Sequence, residues 1–191
     1  MSAFKTLLCT GLLCATATAQ VPATKATTSP ISDNPTTNVP EENRLQPPKP
    51  NLSQLSELAA KILNDLNSNQ IPATSAATCC DAYFPHQEFL ILKNLPNAKA
   101  YFNELTAHYK SDLSALTKVW PADETPEIKS FTPGYCKWKP AGSEYNHIPY
   151  WSCYKSTLAL QWPKSSRATQ TIKIRTIINW GKNWYVTHLG K

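Results

Sequence analysis

Three side chains at four-residue intervals, Glu104, His108 and Asp112, fall along one line of a predicted helix, close enough to meet one another or to share a metal ion. No further ligand appears in any recognisable motif. The pattern therefore favours a solvated, salt-bridged helix surface, with no metal and no cofactor expected. His188, near the end of the chain, is the one candidate general base, useful to chemistry if a pocket surrounds it. It has no assignable Asp partner, and a lone strand histidine more often serves structure. Glu144, the only acid from residue 129 onward, stands with Tyr145, Asn146 and His147 in a predicted turn, where loops are normally wet.

Cations are more telling than acids. Residues 129–191 hold ten Lys or Arg against that single acid, a balance of +9, whereas residues 20–128 hold eight basic and twelve acidic side chains, a balance of −4. Trp138, Tyr150, Trp151, Tyr154, Trp162, Trp180, Trp184 and Tyr185 crowd the same basic third. Aromatics interleaved with cations can stack on sugars or bases while the charges hold anions, although strand aromatics also serve packing. The expected binding residues are Lys155, Lys173 and Arg175, with Trp151 and Tyr154. An acidic protein, a glycan or an anionic envelope surface fits them. No nucleic-acid signature is present.

Four cysteines, Cys79, Cys80, Cys136 and Cys153, follow an N-terminal segment built like a secretory signal: Lys5, an apolar run from Leu7 to Ala15, and Ala17-Thr18-Ala19. The expectation is an exported, periplasmic or extracellular protein cleaved after residue 19, with disulfides. The apolar run is too short for a transmembrane anchor, and Leu13 before Cys14 argues against lipidation. If residues 129–139 and 150–162 form an antiparallel hairpin, a register setting Cys136 opposite Cys153 also sets Trp138 opposite Trp151. That favours a Cys136–Cys153 bond, leaving Cys79 and Cys80 as a vicinal pair or free thiols. The rival pairing ties the Cys79-Cys80 corner to the sheet.

The elements that must position these groups begin after a Pro/Thr-rich stretch, 20–50, which has seven prolines and no aromatic and is expected to be a disordered linker. Asn51 is the expected cap of a helix to about Asn67, with Leu52, Leu55, Ala59, Ile62 and Leu66 as its apolar stripe. Asn51-Leu52-Ser53 also matches a glycosylation acceptor. Phe89–Leu92 suits either strand or helix. A helix from Pro96 to about Val119 buries Phe102, Leu105, Tyr109, Leu113, Leu116 and Trp120.

From residue 150 the apolar period changes to two. Tyr154, Leu158, Leu160 and Trp162 share a face, as do Ile172 and Ile174 in the next strand, and pairing Leu160 with Ile172 and Leu158 with Ile174 aligns them. Asn179–Lys182 reads as a tight turn into a last strand, Asn183–Leu189. The fold class expected for 51–191 is one α+β domain, its N-terminal helices packed on a curved antiparallel sheet of about four strands and stabilised by disulfides.

The closing segment TIKIRTIINWGKNWYVTHLG, through Ile172, Ile174, Gly181, Trp184, Val186 and His188, resembles the last two strands of the nuclear transport factor 2-like superfamily. A cystatin-like sheet has the same element order. The superfamily resemblance implies a cone-shaped sheet around a pocket, used by isomerase- or dehydratase-like enzymes or by binding and assembly domains. The function expected here is a non-catalytic binding or assembly module presenting its basic, aromatic-rich sheet to an acidic partner. The alternative is a small-molecule carrier or enzyme using the pocket, with His188 and a tyrosine as its polar groups.

Overall fold

The computed structural model describes residues 39–46, 49–70, 80–165 and 167–190. The expected signal peptide, Cys14, the linker to residue 38, Cys79 and the side chain of Leu52 lie outside the described residues.

Helix α1 (Glu41–Arg44) is short, and α2 (Leu52–Gln70) starts at the expected cap. Asn51 Oδ1 accepts the Gln54 N–H at 3.0 Å, and the Gln54 side chain accepts the Asn51 N–H at 3.3 Å, so two donors at the helix start are satisfied reciprocally. Leu55, Leu58, Ala59, Ile62 and Leu66 are all buried. Each Leu or Ile so buried contributes about 1.5–3 kcal/mol, which outweighs the marginal stability of a helix this long on its own. The ambiguous run Phe89–Leu92 is helical, within α3 (His86–Leu92), with Pro85 at its N-cap. Helix α4 (Ala98–Thr117) follows Pro96, ends before Pro121 and buries Phe102, Leu105, Tyr109 and Leu113 at the expected spacing.

The sheet is an open antiparallel meander of five strands, β1 (Glu127–Thr132), β2 (Tyr135–Lys139), β3 (Tyr150–Gln161), β4 (Gln170–Trp180) and β5 (Asn183–Gly190). The count exceeds the expected four because Pro133-Gly134 interrupts one strand. Its halves, β1 and β2, lie one after the other along the same edge of β3. Helices α2 and α4 pack on each other and on the sheet, which makes the class α+β, and they share one apolar core with Leu158, Leu160, Ile172, Ile174 and Val186.

Cys136 stands opposite Cys153 and Trp138 opposite Trp151, and the two cysteines are joined by a disulfide. This rules out the rival pairing to the Cys79-Cys80 corner. Cys80 is disulfide-bonded as well, so it is not a free thiol. Between β3 and β4 the expected register is corrected by two residues: Leu158 faces Ile172, Ser156 faces Ile174 and Leu160 faces Gln170. A two-residue slide leaves every side chain on its own face, so alternation in the sequence cannot distinguish the two registers. Tertiary bonds hold the observed one, since Gln170 Oε1 accepts the Trp120 indole N–H at 2.7 Å and Gln170 Nε2 donates to the Leu116 carbonyl at 3.4 Å.

Part of the proline-rich arm packs on the domain. Val39 and Asn43 are buried, and Asn43 Oδ1 accepts the Gly181 N–H at 2.6 Å while its Nδ2 donates to the Pro149 carbonyl at 3.0 Å. Asn43 thus bridges the β4–β5 turn, where Gly181 has φ +60°, to the approach of β3.

Candidate functional site

Four non-glycine residues adopt positive φ among the described residues: Cys80, Glu144, Tyr145 and Lys155. Such backbone costs of order 1–3 kcal/mol per residue and persists only where the surroundings over-determine it. Three of the four flank two adjoining depressions at one end of the sheet.

The first depression is a groove of about 620 Å³ between β2, β3 and β4, lined by Tyr135, Tyr154, Lys155, Thr157, Lys173 and Arg175 among others. Lys155 sits mid-strand at φ +61°, beside the Gly134 break. The ladder is interrupted there, and the Gly134 N–H is satisfied by Ser156 Oγ at 3.0 Å. Tyr135 and Tyr154 stack with centroids 5.4 Å apart, Lys137 lies 5.6 Å from the Tyr135 ring and Lys139 lies 5.2 Å from that of Tyr154. Among the described residues, Lys155, Lys173 and Arg175 form no ion pair. The expected binding residues Tyr154, Lys155, Lys173 and Arg175 are therefore brought together. Trp151 is not among them: it is buried, packed edge-on against Trp138 at 5.7 Å. Trp162 and Trp184 are buried too, so core packing takes much of the aromatic cluster.

The second is a cavity of about 380 Å³ between α3, α4 and the sheet, sharing Tyr154 and Thr176 with the groove. Its rim is a 3₁₀ turn, Ser143–Tyr145, in which Glu144 has φ 53° and Tyr145 φ 55°. Buried Asn146 holds this turn by donating from Nδ2 to the Ile148 carbonyl at 2.7 Å and the Pro140 carbonyl at 3.2 Å. The end of α3 is tied to it, with the Asn94 N–H on the Tyr145 carbonyl at 2.7 Å and the His147 N–H on the Leu92 carbonyl at 2.8 Å.

That tie places Lys93 beside the turn. Lys93 Nζ donates to the Glu144 carbonyl at 3.1 Å and to Tyr150 Oη at 3.3 Å. The Glu144 carboxylate accepts Tyr150 Oη–H at 3.0 Å, Tyr154 Oη–H at 3.3 Å and a hydrogen bond from Lys139. Burial by itself raises the Glu144 carboxyl, but hydrogen bonds from Lys139, Tyr150 and Tyr154, with the Lys139 charge, leave it below its ordinary value. Burial also lowers the Lys93 ammonium, opposed by Glu144. Glu144 is thus a fixed anion, not a proton donor. The turn is exposed, as expected from sequence, and its Glu144 is also the hub of a polar network.

His188 lines the cavity, its Nδ1 3.2 Å from Thr187 Oγ1. Burial lowers its pKa, Arg175 and His108 add to the effect, Asp112 opposes it and Lys93 contributes a little more. His188 therefore stays neutral at physiological pH, and among the described residues it has no hydrogen-bonded carboxylate of the kind that orients a catalytic base. His108 and Asp112 border a further hollow that also touches Lys173, Arg175 and His188. Glu104 and His108 are exposed and Asp112 is half-buried, and among the described residues none of the three forms an ion pair, so the expected salt bridges are not found there.

No family model, no curated protein and no solved structure matches this chain. Among the described residues no helix is long and apolar enough to cross a membrane.

The residues that sequence reasoning missed are Lys93, Tyr101 and Tyr135, while Tyr150 enters there only as one of the aromatics of the basic third. Glu144 carried a signal, being a lone acid among ten cations. Nothing in the local sequence announces the left-handed backbone that sets it beside Lys139, Tyr150 and Tyr154.

Proposed function

We propose that this chain is an exported, non-catalytic binding module that holds an acidic partner in the groove between Tyr135 and Arg175. The carrying observation is the convergence of Lys155, Lys173 and Arg175, three cations without ion pairs among the described residues, on one aromatic-walled groove. A cationic concavity concentrates anionic partners and speeds their encounter. The strained backbone of Lys155 supports the reading, because strain of this kind gathers at ligand clamps. The disulfide fits an oxidising compartment. A nuclear transport factor 2-like origin agrees with the order of helices and meander, and such domains include assembly modules.

Fluorescence anisotropy of labelled poly-glutamate tests the proposal. Capture is expected to weaken from low to physiological salt and to be lost in the Lys173→Glu, Arg175→Glu double variant. Capture that ignores both salt and charge reversal refutes it.

A further inference from the structure

We propose that the cavity under the Ser143–Tyr145 turn is a second binding site beside the groove, which takes a small aromatic carboxylate with its carboxylate on Lys93 Nζ and its ring against Tyr101 and Tyr145. The volume, about 380 Å³, falls in the range of small-ligand pockets, and the lining has the usual make-up of an apolar body (Phe89, Leu105) with a few convergent polar groups.

Charge selects the head group. The Glu144 carboxylate is engaged by Lys139, Tyr150 and Tyr154, whereas Lys93 Nζ, 5.3 Å from the Tyr150 ring centroid, hydrogen-bonds among the described residues to a carbonyl oxygen and a phenol oxygen. An ammonium has three donors, so one proton of Lys93 has no hydrogen-bond acceptor among the described residues. Lys93 also forms no ion pair within the described residues. With Lys93 and Lys139 against Glu144, the polar end keeps an excess positive charge, which suits one carboxylate and rejects a cation. Lys93 is partly desolvated, and that strengthens a charge-assisted bond made there.

Aromatic surface selects the body. Tyr101 and Tyr145 are 38% and 73% exposed, two of only five large hydrophobic residues exposed to this degree among the described residues. Both line the cavity and a neighbouring hollow that shares Lys93 and Glu144 with it. Tyr145 is held outward by left-handed backbone that the Asn146 and α3 hydrogen bonds over-determine. An exposed ring fixed at this cost at the rim of a cavity is suited to stacking on a flat ligand.

The test uses 2-naphthoate and its uncharged analogue 2-naphthamide, titrated calorimetrically into the full chain. Naphthoate is expected to bind about tenfold or more tightly than the amide, the difference being one charge-assisted hydrogen bond. Lys93→Met should remove that preference while leaving amide binding in place. Tyr145→Ser, at an exposed position that leaves the core untouched, should weaken both ligands. Lys173→Glu with Arg175→Glu should preserve the tenfold preference, which separates this site from the acidic-partner groove. Failure of naphthoate to bind the folded protein, equal affinity for the amide, or a preference that survives Lys93→Met overturns the proposal.

Discussion

Gly134 lies so close to Tyr154 that a Cβ on the glycine would stand 1.7 Å from the Tyr154 carbonyl oxygen. The contact joins the Pro133-Gly134 break to the left-handed Lys155, so the residue type at 134 governs how a cation is presented 21 positions later in the chain. Gly134→Ala must separate β2 from β3. The expected cost is at least about 1–3 kcal/mol, the range for overpacking, seen as a lower melting temperature together with weaker poly-glutamate capture. An unchanged melt would show that the backbone there has room to give.

Asp65 anchors the corner after α2. Its carboxylate, buried in the core, accepts the N–H groups of Cys80, Asp81 and Ala82 at 3.0, 2.9 and 3.1 Å and the Tyr109 hydroxyl at 2.8 Å. Asp65→Asn turns an amide donor toward groups that are themselves donors. A loss of at least about 1.5–3 kcal/mol in urea unfolding is expected, against about 0.5–1.5 kcal/mol for Tyr109→Phe, which removes one partner. Equal losses would assign the effect to packing instead.

Asn43 makes its two hydrogen bonds from within the proline-rich arm, to Gly181 and Pro149. Asn43→Ala is expected to free residues 39–46, raising amide exchange at the Leu45 N–H and at the Gly181 N–H, with a stability loss of about 1–3 kcal/mol. Protection retained at Gly181 would mean that the arm does not depend on this side chain.

His188 makes stability depend on pH. Burial and the charges of Arg175, His108 and Lys93 lower its folded-state pKa, against opposition from Asp112. Below the ordinary value of about 6.5 the unfolded chain takes up a proton that the folded chain resists. Stability is therefore full above that value and is lost as pH falls through the folded-state pKa. His188→Gln should flatten the fall of melting temperature across this window. A variant that tracks the parent protein over the same range would remove His188 as the cause.

Local sequence was sufficient wherever one element's own chemistry decides the outcome. The Asn51 cap, the α2 and α4 stripes and the alternation in β3 and β4 all follow from residue type and period, whereas local sequence favours the Cys136–Cys153 bond over a rival pairing that only the folded chain removes. It was insufficient wherever two answers share a period or depend on a distant partner. The β3–β4 register is one such case, because a slide by two leaves both faces intact and the bonds of Gln170 to Trp120 and Leu116 separate the choices. The site is another. The cations at 155, 173 and 175 were legible as a basic surface, but their convergence needed Lys155 in a backbone conformation that most residues avoid, held by Gly134 across the strand break. Lys93, Glu144 and Tyr150 lie up to 57 residues apart and meet through main-chain bonds between the end of α3 and a turn. Amino-acid type and spacing determined which faces are buried; only the packed chain decided which charges remain without a partner, because pairing depends on distances that sequence separation does not set.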